Sequence, residues 1–99
     1  MQEELMNELE VAYILFALEL KDGKGFDEGK YLNLCNVLKR YKKEWMRLEL
    51  LPRQTVFLLI DIVGLYYYYD YSIYSDEERK RIKEALTQIH LLICDIVCT

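Results

Sequence analysis

From Tyr31 onward, apolar side chains recur at steps of three and four: Tyr31, Leu34, Leu38, Tyr41, Trp45 and Leu48. A helix turns about 100° per residue, so this spacing puts all six on one stripe. The pattern predicts a helix over 28–50 with a narrow seam suited to packing along another helix. Its opposite face carries Lys39, Arg40, Lys42, Lys43 and Arg47, late enough to complement the negative end of the helix dipole.

Three further segments follow the same period. Leu5, Leu9, Ala12, Phe16 and Leu20 predict a first helix over 2–20, and Ile82, Leu86, Ile89, Ile93 and Ile96 a last one beginning at Asp76. Between them, 53–71 is apolar on most sides. One stripe holds Val56, Ile60, Val63, Tyr67 and Tyr71, and a second holds Leu59, Ile62, Tyr66 and Tyr69. So wide an apolar surface predicts the central helix, with only the Gln54, Asp61 and Tyr68 strip facing solvent.

The breaks carry their own signals. KDGKGFD supplies two glycines and an N-cap, Asp27, while Pro52 stops helical geometry before the third segment. Ser75 followed by Glu78 matches the capping box, in which hydroxyl and carboxylate each satisfy an orphan amide. Strand alternation is missing. The expected fold is all-α, an antiparallel up-down four-helix bundle, with residues 1–99 as a single domain.

Composition narrows the function classes. The chain is 99 residues long, 53% hydrophobic and 30% charged, enough for one core and too few for two. A net charge of −4 opposes the phosphate-neutralising surface that most nucleic-acid binding requires, so no nucleic-acid partner is expected. The acidic start MQEELMNELE lacks the basic and apolar regions of a secretory signal, which points to a cytoplasmic location. The longest apolar run, Val56 to Tyr69, contains Asp61 and falls short of the roughly 20 residues of a membrane span.

Candidate chemistry is sparse. There is one histidine, His90, and no G-x-S-x-G, glycine-rich phosphate loop, H-E-x-x-H or E-x-x-H, so no enzyme is expected. His90, Cys94 and Cys98 share a stripe at steps of four and are zinc-ligand types, but a second ligand cluster is missing. Cys35, Cys94 and Cys98 read as reduced, apolar-tolerant thiols, with neither metal nor cofactor expected. The basic runs Lys39–Lys43 and Arg79–Lys83 could touch phosphates or an anionic membrane, yet each shares its helix with acids and reads first as a solvated face.

Two stretches suggest a protein partner. HLLICDIVC is apolar almost all round, so either the bundle wraps it or it leaves a patch for another molecule, a second copy in a two-fold dimer included. In GLYYYYDYSIYS, Tyr66, Tyr67, Tyr69 and Tyr71 continue the two core stripes, whereas Tyr68 and Tyr74 fall near an exposed turn. The candidate partner-binding residues are Tyr68, Tyr74, Leu91, Cys94 and Cys98.

Over Leu51 to Ile89 the chain resembles the immunity proteins that protect bacteria from their own pediocin-like (class IIa) bacteriocins. Pro52 opens an apolar helix with a tyrosine-rich end, VFLLIDIVGLYYYYDY. A short turn and a hydroxyl-capped helix, SDEERKRIKEALTQI, follow. The preceding YLNLCNVLKRYKKEW and the overall length are similar too. The resemblance implies a cytoplasmic four-helix bundle that acts without catalysis. It also implies binding of the bacteriocin-occupied mannose phosphotransferase permease at the inner membrane face, with the C-terminal half contributing to specificity. The alternative from the acidic balance is a small helical interaction protein, a phage-encoded inhibitor or regulatory subunit, acting on a soluble partner.

Overall fold

The structure is a computed structural model describing residues 2–45, 53–67 and 71–97. It contains four helices: α1 (Gln2–Lys21), α2 (Glu28–Trp45), α3 (Arg53–Tyr67) and α4 (Asp76–Val97). Among the described residues there is no strand, and the all-α bundle expected from the periodicity is what forms.

Local chemistry sets the helix ends. α1 closes in a Schellman motif: Lys24 N–H reaches the Glu19 carbonyl at 2.9 Å and Gly23 N–H the Leu20 carbonyl at 3.4 Å. Gly23 adopts φ 75°, the left-handed conformation that this motif demands. Asp27 Oδ1 accepts from Lys30 N–H at 3.0 Å and caps α2 as expected. At α4 the Ser75 hydroxyl accepts from Glu78 N–H at 3.2 Å. The Glu78 carboxylate binds that hydroxyl, also at 3.2 Å, rather than a backbone amide.

Successive helices run antiparallel, but they are not laid out in chain order. α1 packs on α2 and α3, and α4 on the same two, so α2 and α3 stand at opposite corners. Direction follows from the paired residues. Thr55 reaches Met6 and Tyr13 reaches Asp61, which makes α1 and α3 parallel neighbours. Arg81 pairs with Glu28 and Lys42 with Asp95, so α2 and α4 are parallel too. The bundle is thus two layers, α1/α3 and α2/α4, within an envelope of 42 × 23 × 19 Å.

The core lies between the layers. Leu9, Phe16 and Leu20 meet Leu34, Leu38 and Tyr41, closed from the other side by Leu59, Ile62 and Leu65 and by Ile82 and Ile89. For α1, for α4 and for α2 as far as Tyr41 these are the stripes read from the sequence; the Trp45 side chain, Leu48 and Tyr69 lie outside the described residues. α3 departs from its expectation: Leu59 and Ile62 are buried with Thr55 and Leu65, whereas Ile60 is 58% exposed and Tyr67 61%. The stripe expected to be the main core face, Val56, Ile60, Val63, Tyr67 and Tyr71, is the outer one, with only Val63 and Tyr71 partly covered. Nor is α3 central, because it has the same two neighbours as α2.

Candidate functional site

The residues singled out as partner-binding do not converge. Tyr68 and Cys98 lie outside the described residues. Leu91 is 52% exposed on α4 and Cys94 half-buried one turn on. Tyr74, expected at an exposed turn, is instead 6% exposed, which removes it from any surface. Tyr66, also expected in the core, is exposed and packs edge-on against Tyr67. The half-buried His90 ring meets Tyr67 at a 6.0 Å centroid distance, and among the described residues no group of His, Cys, Asp or Glu could hold a metal ion.

Tyr74 is a structural staple. Its hydroxyl donates to the Leu20 carbonyl at 2.6 Å and accepts from Gly25 N–H at 3.3 Å, tying the α3–α4 turn to the α1–α2 turn. Next to it, Tyr71 donates to the Leu65 carbonyl at 2.6 Å. Two tyrosines from the aromatic run therefore spend their polar tips on backbone groups that the ends of α1 and α3 leave open.

The feature that stands out lies on the α1/α3 layer. Val11, Ile14, Leu15 and Leu18 recur at steps of three, one and three, on the side of α1 opposite Leu9, Phe16 and Leu20. All four are exposed, Val11 and Leu18 by more than half. α3 adds Val56, Phe57, Ile60 and Tyr67 on its own outer side. The two rows diverge: Val11 borders α2 beside Glu8 and Arg40, and Tyr67 meets His90 of α4, while Tyr13 and Asp61 join α1 to α3 between them. On α1 the four residues lie within about a third of the helix circumference, the kind of apolar row that marks interaction sites. The cue was present in the sequence as a second helical stripe on α1, hidden by the stronger core stripe beside it.

Charge frames the apolar face. α1 and α3 together carry six acidic residues against two basic ones. Exposed Glu4, Glu8 and Glu10 flank the α1 stripe, Asp22 follows it and Asp61 lies across the seam. Between the helices, Glu4, Glu8 and Val11 also border an open groove of about 580 Å³ closed by Asn33, Val37 and Arg40 of α2.

The α2/α4 layer has the opposite character, with nine basic and seven acidic residues. Its ion pairs are structural. Arg81 forms a two-pronged pair with Glu28, 2.5 Å and 2.9 Å, while its guanidinium stacks 5.2 Å from the Phe26 ring and 5.3 Å from that of Tyr31. This hydrogen-bonded guanidinium holds the Glu28 carboxyl below its usual range, and Glu28 raises Arg81 in turn. Glu8 pairs with Arg40 at 2.6 Å and Lys30 with Glu19, clasping α1 to α2.

The buried thiol of Cys35 is pushed up by desolvation, so it stays protonated and chemically quiet at neutral pH. Among the described residues, no helix is long and apolar enough to cross a membrane. Comparison of the chain with protein-family models, with curated proteins and with solved structures returns no match.

Proposed function

We propose that this protein is a non-enzymatic binding module whose working surface is the outer side of α1, and that its biological role is immunity to a class IIa-type bacteriocin. The observation that carries the binding reading is the row Val11, Ile14, Leu15 and Leu18, held in water on a helix whose other side already fills the core. Each such side chain is about half exposed and forgoes roughly 1 kcal/mol of burial. A partner that covers the row recovers part of that energy.

The immunity role rests on the resemblance from Pro52 onward, and the four-helix architecture agrees with it. Its action is to associate with the bacteriocin-occupied permease on the cytoplasmic side. The test is expression in a sensitive strain challenged with several class IIa bacteriocins: protection against one or more is expected, and unchanged killing by all of them rejects the role.

A second reading, an inhibitor or regulatory subunit for a soluble partner, is favoured by the acidic border of the face, which repels anionic lipid headgroups. Affinity capture from the native host separates the two readings. Permease components in the eluate support the first, and a single soluble protein supports the second.

A further inference from the structure

We infer that the protein self-associates as a two-fold dimer through its α3/α4 seam, with α3 lying antiparallel against the α3 of a second copy. The seam is fixed at one point by the Tyr67 and His90 rings, whose centroids lie 6.0 Å apart. Because the two helices run antiparallel, seven residues back along α3 and seven forward along α4 lead to Ile60 and Val97, two turns away on the same sides. Between them stand Val63 and Cys94, both partly covered. Tyr67 and Ile60 are more than half exposed and Val97 half, and α3 adds Val56 and Phe57 beside them. The seam therefore carries an apolar ridge that none of the four described helices covers.

Charge chooses the occupant. α3 holds two charged side chains, Arg53 at its first position and Asp61 on the α1 side, where Tyr13 donates to its carbonyl. Between His90 and Val97, α4 holds only Asp95, which turns to Lys42 of α2. Two copies of this face meet without like charges opposed. The row Val56, Ile60, Val63 and Tyr67 advances by four, three and four, the seam that two helices share. About a two-fold axis at its middle, Val56 of each copy faces Tyr67 of the other, small against large. The two Arg53 side chains then stand at opposite ends, roughly 25 Å apart and beyond the Debye length at physiological salt. The α1 row lacks this freedom, since Glu4, Glu10 and Asp22 border it and would meet their own copies.

Area sets the strength. Val56, Phe57, Ile60, Tyr67 and Val97 together present roughly 500 Å² per copy, so a dimer buries about 1,000 Å², the lower bound of a specific interface. The expected dissociation constant is therefore micromolar, on the order of 10–100 μM. The outer side of α1 stays free in such a dimer, which presents two copies of the binding surface.

Sedimentation velocity of the whole protein under reducing conditions, from about 1 to 300 μM, tests this, and a monomer–dimer transition is expected within that range. Ile60→Lys and Tyr67→Lys should each raise the midpoint at least about tenfold, because the two-fold axis buries every added charge twice. Leu32→Lys, exposed on the diagonal helix α2, should leave it unchanged. Should Ile60→Lys fail to fold, Phe57→Lys on the same outer side supplies the arm. High salt should leave the dimer intact, since the interface holds no ion pair. A monomer throughout overturns the inference, as does a dimer indifferent to both α3 variants, one loosened by Leu32→Lys, or one that dissolves in high salt or forms only without reductant.

Discussion

The Tyr74 hydroxyl donates to the Leu20 carbonyl at 2.6 Å, joining residues 54 positions apart at one end of the bundle. That carbonyl belongs to the last turn of α1, where the Schellman closure also uses it through Gly23. One side chain therefore couples the end of the first helix to the entry into the fourth.

Tyr74→Phe keeps the ring and removes the hydroxyl, leaving Gly25 N–H without it and Leu20 with only the longer bond from Gly23. The expected loss is about 1–3 kcal/mol, the cost of buried polar groups stripped of a partner. Urea unfolding checks this, with an unchanged m-value expected because the native packing persists.

α3 offers a paired test of which stripe is core. Ile62→Ala should cost about 2–5 kcal/mol, as for a fully buried aliphatic side chain. Ile60→Ala, two residues away and 58% exposed, should change stability by no more than about 0.5 kcal/mol. Equal losses in thermal unfolding would return Ile60 to the core.

Gly23 combines φ 75° with a close neighbour, since a Cβ there would lie 2.7 Å from Ile73 Cδ1. Ile73 is an exposed, flexible side chain and can yield; the backbone cannot. Gly23→Ala should cost about 1–2 kcal/mol from the left-handed conformation alone. Adding Ile73→Ala should recover little of that loss in the same unfolding assay.

Alkali should destabilise the protein through Tyr41. Burial pushes its phenol well above the ordinary value of 10.0, so the folded state holds a proton that the unfolded chain releases. The Tyr41 contribution is therefore intact below pH 10 and falls as pH rises past it. Melting temperatures followed from pH 8 to 11 should drop less steeply for Tyr41→Phe, with Tyr31 and Cys35, both raised chiefly by desolvation, contributing further loss.

Acid acts on the opposite sign through Glu28. Its carboxyl is held below the ordinary value of 4.5 by the Arg81 hydrogen bonds, so this contribution is present above that pH. It is lost as pH falls through the lowered value. Wild type and Glu28→Gln should therefore differ in stability at pH 6 and converge near pH 2, as circular dichroism melts would show.

Much of this was legible in the chain. The seams of α1 and α4, that of α2 from Tyr31 to Tyr41, and the caps at Asp27 and Ser75 are local patterns, and each is found where its period and spacing put it. α3 was harder because its two stripes are equally apolar. Periodicity reports that such a helix has two dry-looking sides and is silent about which side meets α1 and α4. Tyr74 was misplaced for a related reason: a turn residue reads as exposed unless one knows that a second turn arrives to receive it.

What the sequence determined by itself is the set of helices, where each begins and their alternating direction, because period, capping and breaking residues act within a few positions of one another; α3, expected to reach Tyr71, is helical to Tyr67, and Tyr71 lies outside it. Only the tertiary structure decided that α3 stands diagonal to α2 and parallel to α1, and so which apolar stripes remain in water. That choice depends on contacts between residues about 50 positions apart, such as Tyr13 with Asp61 and Arg81 with Glu28. The same packing that buries Leu59 and Ile62 leaves Ile60 and Tyr67 outside, since a helix seated at a corner of a two-layer bundle cannot cover all its sides.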